Sequence, residues 1–297
     1  MIDLAQPRYH PFLQEMLLCL ECRSPDTGFL PNDGESVVCE ACGYRYPIIS
    51  GVLAAFSQEG QSMVHYSEIK PEYRTAFFKG KELSYERGWG LSSLYNHYHR
   101  FAAQERQKSH TEGFFLDLGC GIGEHLPFVT PEERPYYIGL DRDRYKLEYF
   151  QAQHPDIFLI QCDAHNLPLK SQCTSYVQTT ALLEYFDEQG LTAVLSEVRR
   201  VLRSEGVYVN CMPAEGGFLF KGSKMLINVL QKWLLAESMD NMVDAIRSDA
   251  LTIKEHLAEH FWLKTRWYFP TVVPSFHCNW FLNEVYQPLP PTDLGKE

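Results

Sequence analysis

The stretch FFLDLGCGIGEHLPFV, residues 114–129, constrains the fold more than any other part of the chain. Its first half is apolar and ends at Asp117, and three glycines follow at alternate positions, Gly119, Gly121 and Gly123. Glycine adopts backbone conformations that other residues avoid, and it lets the backbone approach a ligand closely. An apolar strand, a glycine turn and then helix-like sequence indicate the first βα unit of a parallel sheet, with a ligand at the carboxyl end of the strand.

The ligand expected at this loop carries positive charge. A dinucleotide fingerprint, G-x-G-x-x-G, requires glycine at position 124, where this sequence has Glu124. A carboxylate there repels a pyrophosphate, so NAD is disfavoured. The sulfonium and ammonium groups of S-adenosylmethionine suit an acid beside the loop.

Two further apolar stretches also end in an acid. YYIGLD ends at Asp141, about twenty residues beyond the loop, where a carboxylate can accept hydrogen bonds from both ribose hydroxyls. IFLIQCDAHNLPL contains Asp163, which we expect to accept the adenine amino group. Because helix-like sequences alternate with these strands, the pattern predicts an α/β, doubly wound sheet.

The motifs DLGCGIG, GLD, CDAHNLP, ALLEYF and VRRVLRSEGVYV occur in this order over residues 114–212, and together they resemble the class I S-adenosylmethionine-dependent methyltransferase family. The resemblance implies a seven-stranded Rossmann-like sheet. It implies that Asp117 and the loop glycines line the methionine part of the cofactor, Asp141 the ribose, and Asp163 with Ala164 the adenine. The other predicted cofactor contacts are Cys120, Arg142 and, from the preceding helix, Arg100.

Near the amino terminus, two Cys-x2-Cys pairs predict a structural zinc ribbon. Sixteen residues separate the pairs, whose members are Cys19, Cys22, Cys39 and Cys42. Each pair forms a tight turn that directs two thiolates at one tetrahedral Zn²⁺ ion. Four cysteine ligands leave no open coordination position, so the predicted site is structural rather than catalytic.

The sequence from LLCLEC to CEACGYRYPIISGVLAAF is similar to a small zinc-ribbon family that activates methyltransferases. The matching residues are Tyr46, Pro47, Ile48, Gly51 and Val52. Residues 1–60 contain three arginines against eight acids, so the ribbon is a poor clamp for RNA. We therefore expect it to be a scaffold that packs against the next domain.

The methyl-transfer step needs alignment and exclusion of water more than a reactive side chain, because a sulfonium is already a good leaving group. The segment TTALLEYFDE lacks the Asn/Asp-Pro-Pro-aromatic motif used on amide and adenine nitrogens, which favours an oxygen or carbon acceptor atom. A hydroxyl acceptor benefits from a general base. The candidates are Glu184, Tyr185, His97, His99 and His277.

The stretch LSSLYNHYHRF, residues 91–101, predicts an amphipathic helix that covers the cofactor. On it, Arg100 is expected to meet the cofactor carboxylate, and His97 or His99 to face the substrate. The alternative for both histidines, and for His277, is an ordinary packed or surface position.

Three parts are predicted along the chain: a zinc ribbon at 1–60, a helical linker and cofactor lid at 61–112, and a methyltransferase domain at 113–297. Residues 215–260 exceed an ordinary loop, and their apolar, helix-like sequence predicts an inserted cap over the substrate. A membrane-facing amphipathic helix in this insertion is the alternative to core packing.

The composition separates the possible functions. A formal net charge of −11 disfavours a wide polyanion-binding surface, because phosphate contacts require clustered Lys and Arg. The sequence lacks a membrane-length apolar run and a signal-like start, so we expect a cytoplasmic protein.

The predicted acceptor is a small molecule or a glycan or lipid intermediate. The alternatives are an rRNA or tRNA methyltransferase and a non-catalytic interaction protein that binds the cofactor.

Overall fold

The computed structural model describes residues 12–32, 34–58, 91–109, 113–222, 246–271, 273 and 275–290. The strands in these ranges are β1 Phe29–Asn32, β2 Ser36–Cys39, β3 Arg45–Ile49, β4 Val52–Ala54, β5 Phe115–Leu118, β6 Tyr137–Asp141, β7 Phe158–Gln161, β8 Thr174–Thr180, β9 Leu202–Pro213, β10 Phe261–Phe269 and β11 Phe281–Pro288. The α-helices there are α1 Leu91–Lys108, α2 Arg144–Gln153, α3 Glu188–Val201 and α4 Ala250–His260.

The strands form one sheet in the order β1-β2-β3-β4-β7-β6-β5-β8-β9-β11-β10. Strands β5 to β9 pair in parallel, and β11 runs antiparallel to both β9 and β10. The order reverses at β5, which has β6 and β7 on one side and β8 and β9 on the other. This arrangement confirms the doubly wound α/β class, in which ligands bind at the carboxyl edge beside the reversal.

The predicted strand count is wrong, because the sheet has eleven strands rather than seven. Strands β5 to β11 account for the predicted seven, and four ribbon strands continue the sheet beyond β7. Leu53 of β4 pairs in parallel with Ile160 of β7, and the Ala55 N–H donates to the Gln161 carbonyl at 2.9 Å. Without β4, this side of β7 would present unpaired backbone groups, and the ribbon satisfies them.

The ribbon also packs on the segment that follows β7. One π-helical turn, Phe12–Met16, places the Phe12 ring 4.5 Å from that of Phe158. Just beyond it, Leu17 forms an antiparallel bridge with Leu169, and the Lys170 N–H donates to the Met16 carbonyl at 2.7 Å. The ribbon therefore lies against the next domain, as the sequence predicts.

Each face of the parallel strands has its own helical layer. On one face α1 and α2 cover a core that includes Phe115, Tyr137 and Val209. The Tyr176 hydroxyl donates to the Ala102 carbonyl of α1 at 2.7 Å, which fixes that helix over β8. On the other face α3 and α4 cover Leu116 and neighbouring core residues. Side chains alternate between the two faces along each strand, so consecutive residues enter different cores.

Part of the predicted cap belongs to this helical layer. Helix α4 begins after Asp249, whose side chain caps it, and buries Ala250, Ile253 and Leu257. Residues 223–245 lie outside the described residues, so the cap stays a prediction there. Among the helices of the described ranges, none has the length and apolarity required to cross a bilayer.

Candidate active site and metal centre

The glycine loop after β5 has a conformation and a packing that favour glycine. Gly119, Gly121 and Gly123 have φ values of 80°, 59° and 91°, in the region that other residues rarely adopt. A Cβ atom on Gly119 would lie 2.8 Å from Leu182 Cδ1, and one on Gly123 would lie 2.5 Å from Phe150 Cε2. The loop backbone is therefore held closely from two sides at the carboxyl edge.

Asp141, at the end of β6, lies directly beside this loop. Its Oδ2 accepts a hydrogen bond from the Gly121 N–H at 2.9 Å, and its Oδ1 accepts one from the Asp143 N–H at 2.8 Å. A carboxylate oxygen can accept two hydrogen bonds, so each retains one acceptor position. This geometry orients the carboxylate without a ligand and suits two adjacent hydroxyl donors.

Three acids surround the loop. Asp117 is 2% exposed and accepts a hydrogen bond from the Tyr137 hydroxyl at 2.6 Å. Burial raises the pKa of Asp117 to about 6, although the hydrogen bond of Tyr137 opposes the rise. The Glu124 side chain turns toward the loop, where its Oε2 accepts a hydrogen bond from the Ile122 N–H at 3.1 Å. Together with Asp141, these groups make the edge suitable for a cationic ligand.

Sequence reasoning missed Lys146, on the first turn of α2. The nearby Asp141 carboxylate raises the pKa of Lys146 although partial burial opposes this, and Asp143 and Glu124 contribute in the same direction as Asp141. The lysine therefore partly balances the acids. Its position five residues after a strand-end acid was visible, but nothing in the local sequence indicates that this lysine is half-buried beside these acids.

Asp163 is also held in place, here by a residue that sequence reasoning missed. The His165 N–H donates to Asp163 Oδ1 at 3.0 Å, and His165 Nδ1 lies 2.6 Å from the same oxygen. The hydrogen bond with His165 lowers the pKa of Asp163. The half-buried Ala164 lies between the two residues. Phe186 packs edge-on against the His165 ring at 5.0 Å.

The other three predicted cofactor contacts differ in their surroundings. Cys120 is 4% exposed, and its thiol packs against Gly139 under the loop. Arg142 is exposed directly after Asp141. Arg100 is exposed on α1, where its charge contributes, after burial, to the lowered pKa of His97.

Glu184, one of the predicted bases, is buried in the structure. It is 2% exposed, and its Oε2 has no hydrogen-bond partner within the described ranges. Burial raises the pKa of Glu184 to about 8, and Glu215 adds to the rise. Its backbone carbonyl accepts hydrogen bonds from the N–H groups of Arg247 and Ser248. A carboxyl group with such a pKa exchanges a proton near neutrality.

Tyr185 and His277 also lie near the carboxyl edge. Tyr185 ends the short 3₁₀ turn Leu183–Tyr185 and is half-buried. His277 is exposed in the turn between β10 and β11, and its ring stacks on Phe218 at 4.6 Å. This contact joins the β10–β11 connection to the segment after β9.

The two histidines of α1 have different neighbours. The His97 ring stacks on Phe269 at 4.1 Å, near the end of β10. His99 is 6% exposed, and its ring lies 5.5 Å from His125 and 5.8 Å from Phe128. The structure therefore does not bring His99 together with His97.

The four ribbon cysteines converge at one point. Their sulfur atoms all lie within 4.8 Å of one another, with 3.7 Å between Cys19 and Cys42 and 3.8 Å between Cys22 and Cys39. A tetrahedral Zn²⁺ ion with bonds of about 2.3 Å requires sulfur separations of about 3.8 Å. The donor set and its spacing therefore fit a structural zinc ion.

Local hydrogen bonds favour a thiolate at Cys39. Burial alone would raise the pKa of Cys39, but the N–H groups of Cys42 and Ala41 and the Thr27 hydroxyl lower it to about 7. Beside the cluster, the Tyr46 hydroxyl lies 3.3 Å from Cys19 Sγ and accepts a hydrogen bond from the Leu20 backbone N–H at 2.7 Å. Such supporting hydrogen bonds are typical around metal ligands.

Residues 115–206 match a family described as "Methyltransferase domain". This part of the chain is therefore similar to a methyltransferase domain. The matched range begins at β5 and includes the glycine loop, Asp141 and Asp163. It ends within β9, so the ribbon, β10 and β11 lie outside it.

Individual relatives of this methyltransferase domain are distant. The tRNA (carboxymethyluridine(34)-5-O)-methyltransferase of Saccharomyces cerevisiae is 28% identical over 127 residues, which are 41% of this chain and 44% of that protein. The chain thus matches less than half the length of that curated relative. Among solved structures, the PH0226 protein of Pyrococcus horikoshii OT3 has a TM-score of 0.53 at 14% identity, covering 74% of this chain and all of that one. This similarity supports the fold.

Proposed function

We propose that the protein is an S-adenosylmethionine-dependent methyltransferase that acts at oxygen or carbon of a small molecule or a glycan or lipid intermediate. The observation that carries the proposal is Asp141, which two backbone N–H groups orient beside a glycine loop at the carboxyl edge. A pair of ribose hydroxyls matches its remaining acceptor positions. The acids around the loop favour a cationic ligand over a pyrophosphate.

In this proposal each cofactor part has its own residues. Asp141 binds the ribose, and Asp163 with Ala164 binds the adenine. Asp117 and the loop backbone line the methionine part, while Glu124 complements its positive charge. S-adenosylmethionine, when bound, supplies a methyl group on an activated sulfonium. The chain orients the acceptor against that group and excludes water.

Glu184 is the general base in this proposal where the acceptor is a hydroxyl. Its buried carboxyl group has a pKa of about 8, so a substantial fraction is ionised in mildly alkaline solution. The ionised form takes the acceptor proton, and the surrounding protein keeps water away. Tyr185 and His277 remain candidates at the same edge.

We also infer that Cys19, Cys22, Cys39 and Cys42 bind one structural Zn²⁺ ion. The sulfur spacing supports this ligand set. The ion would fix the ribbon that extends the sheet at β7 and packs on the segment after Asp163. Its role in this proposal is to support the cofactor-binding edge rather than to take part in the reaction.

Calorimetry tests the cofactor first. S-adenosylhomocysteine should bind to the purified protein, and NADH serves as the control ligand. Binding of NADH in place of S-adenosylhomocysteine would reject the proposal. A labelled-methyl transfer screen then assigns the acceptor, with cell extract divided into nucleic acid, protein, lipid and small-molecule fractions.

A tRNA acceptor is the second candidate, because the yeast relative is a tRNA methyltransferase. The acidic chain and the acids at the carboxyl edge count against it, since RNA binding depends on contacts between phosphates and basic side chains. Gel-shift titration with total tRNA decides between the two. Micromolar or tighter binding that weakens steeply with added salt would favour the tRNA acceptor.

A further inference from the structure

Several buried polar atoms lie near the carboxyl ends of β8 and β9 without a hydrogen-bond partner in the described part of the chain. Among them are both amide atoms of Asn283, the hydroxyl of Thr180, the indole nitrogen of Trp280 and Nε2 of His97. Buried polar atoms in folded proteins are nearly always hydrogen-bonded. A local group of exceptions therefore requires an explanation, and a missing ligand is one.

Two of these side chains lie in one row across the sheet. Thr180 of β8 and Asn283 of β11 both pair with Cys211 of β9, one from each side. Their side chains point to the α1 face, because Phe281 and Val285, which flank Asn283, belong to that core. Thr180 and Asn283 are therefore two strands apart on the same face.

Aromatic rings surround the row at the same edge. Phe269 stacks on His97 at 4.1 Å, and its carbonyl accepts a hydrogen bond from the backbone N–H of Trp280 at 2.8 Å. Phe281, paired with Phe269, packs against the Tyr98 ring at 4.5 Å. These flat apolar surfaces suit a planar ligand.

The row also adjoins the glycine loop. In the sheet, Thr179, the neighbour of Thr180, pairs with Leu118, and Gly119 of the loop follows Leu118. A group held at Thr180 therefore lies next to the predicted methionine end of the cofactor site. This is the side on which an acceptor has to meet the methyl group.

The chemistry of these side chains restricts the ligand. An asparagine amide with both atoms available pairs best with a group that offers an adjacent donor and acceptor. Burial, followed by the charge of Arg100, lowers the pKa of His97, which favours its neutral ring. Thr180, Trp280 and Asn283 have no charge. A phosphate group would find no positive charge among these four side chains.

We propose that Asn283, Thr180, Trp280 and His97 bind the methyl acceptor, and that the acceptor presents an uncharged planar ring with adjacent hydrogen-bond donor and acceptor atoms. This inference rests on the proposed methyltransferase function and narrows its substrate class. Asn283 is fully covered in this structure, so binding includes a shift of α1. The ring belongs to a free heterocyclic compound or to a base of an RNA.

Two adjacent residues of β8 provide a matched test. Thr180→Val removes a hydroxyl that has no partner in the described ranges, whereas Thr179→Val removes one bonded to Tyr208 at 2.8 Å and Asn210 at 3.0 Å. An unpaired buried hydroxyl destabilises the free protein, and a paired one stabilises it. Thermal unfolding should therefore show an unchanged or higher midpoint for Thr180→Val and a midpoint lower by about 2–4 °C for Thr179→Val.

Methyl transfer should show the opposite order. Thr180→Val and Asn283→Leu should each lower kcat/KM for the acceptor by at least about tenfold, because a site built for a polar group then lacks its partner. Thr179→Val should leave kcat/KM within about twofold of the wild-type value. All three variants should bind S-adenosylhomocysteine as tightly as the wild type. Wild-type kcat/KM in both Thr180→Val and Asn283→Leu would overturn the proposal, as would a lower unfolding midpoint for Thr180→Val.

The acceptor class is tested with uridine, adenosine, total tRNA and, as charged acyclic probes, phosphorylated sugar alcohols. Transfer to a free nucleoside identifies a small-molecule source of the ring, and transfer to tRNA alone identifies an RNA base. If the protein binds S-adenosylhomocysteine but methylates only the charged probes or none of the four, the acceptor class is wrong. Failure to bind S-adenosylhomocysteine would instead reject the proposed function.

Discussion

The two halves of the carboxyl edge differ in how their polar groups are satisfied. In the cofactor half, formed by β5, β6 and β7, each of the four acids has a hydrogen bond from the protein; these are Asp117, Glu124, Asp141 and Asp163. In the acceptor half, formed by β8, β9 and β11, buried polar atoms lack partners in the described ranges; these belong to Thr180, Glu184, Trp280 and Asn283. The cofactor half is therefore organised without its ligand, whereas the acceptor half sacrifices stability for groups that a ligand can use.

The largest effect should follow from loss of the zinc ion proposed for the ribbon, which adjoins the proposed cofactor half. Cys39→Ser should release the ion and destabilise the ribbon by on the order of 10 kcal/mol, because metal-binding free energy in such sites is folding free energy. Metal analysis and denaturant unfolding measure both results. Cys278→Ser, at an exposed cysteine far along the chain, is the control and should retain one equivalent of zinc. A Cys39→Ser protein with a full equivalent of metal would contradict the ligand set.

The next largest effect should be at Asp141, the acid of the cofactor half that two backbone N–H groups orient. Asp141→Ala removes both ribose contacts, each worth about 1.5–3 kcal/mol as a charged hydrogen bond. Affinity for S-adenosylhomocysteine should fall at least about tenfold by calorimetry, with the fold retained. Asp156→Ala, at an exposed position before β7, should bind normally. Equal affinity in Asp141→Ala and wild type would remove the ribose assignment.

The next prediction concerns Glu184 in the acceptor half, whose burial should make the free energy of unfolding depend on pH. Its pKa is about 8 in the folded protein and 4.5 as a free side chain, so between these values the folded state binds more protons than the unfolded state. Stability contributed by this group is therefore present below pH 4.5 and is lost as the pH rises toward 8. Glu184→Gln should remove this loss. The free energy of unfolding of the variant, relative to wild type, should therefore increase with pH, by at most about 1.4 kcal/mol per pH unit.

Denaturant midpoints of both proteins at pH 5, 6, 7 and 8 measure this trend. Asp187→Asn, at an exposed acid nearby that caps α3, serves as the control and should show no growing advantage. A constant difference between Glu184→Gln and wild type would show that Glu184 ionises normally.

The smallest effect should come from a single link between the ribbon and the cofactor half. Arg23, next to a metal ligand, donates to Asn166 Oδ1 at 2.8 Å in an exposed hydrogen bond. Arg23→Ala should lower the free energy of unfolding by less than about 1 kcal/mol and leave S-adenosylhomocysteine affinity within about twofold. A larger loss of affinity would mean that the ribbon positions the Asp163 segment more directly than its backbone contacts suggest.

The sequence predicts the conformation of the glycine loop, the position of Asp141 and the clustering of the four cysteines, because this information is local. The glycine loop, the acid at the end of β6 and the two cysteine pairs each occupy a short motif whose chemistry is visible in a few residues. Backbone conformation then follows from residue type, as the positive φ values of the three glycines illustrate.

The proposed acceptor half depends on contacts between distant segments, and of its residues the sequence indicated Glu184 and His97 but not Thr180, Trp280 or Asn283. Asn283 faces Cys211 because β11 inserts between β9 and β10, and no motif encodes that pairing. The sequence likewise predicts that the ribbon packs on the next domain but not that the two share one sheet. The reason is that neither strand encodes the register of β4 on β7. His165 and Lys146 were missed for a related reason, since the burial and partners of a side chain arise only in the folded chain.

The pairing of β4 with β7 also affects the order in which the chain can fold during synthesis. Leu53 leaves the ribosome about one hundred residues before its partner Ile160. The ribbon can fold around its metal early, but the open side of β4 has to wait until β7 has been made. Such a distant pairing closes late, because a long loop has to be ordered first. The nascent ribbon therefore presents a free strand edge, and a chaperone that shields such edges would have its opportunity in this interval.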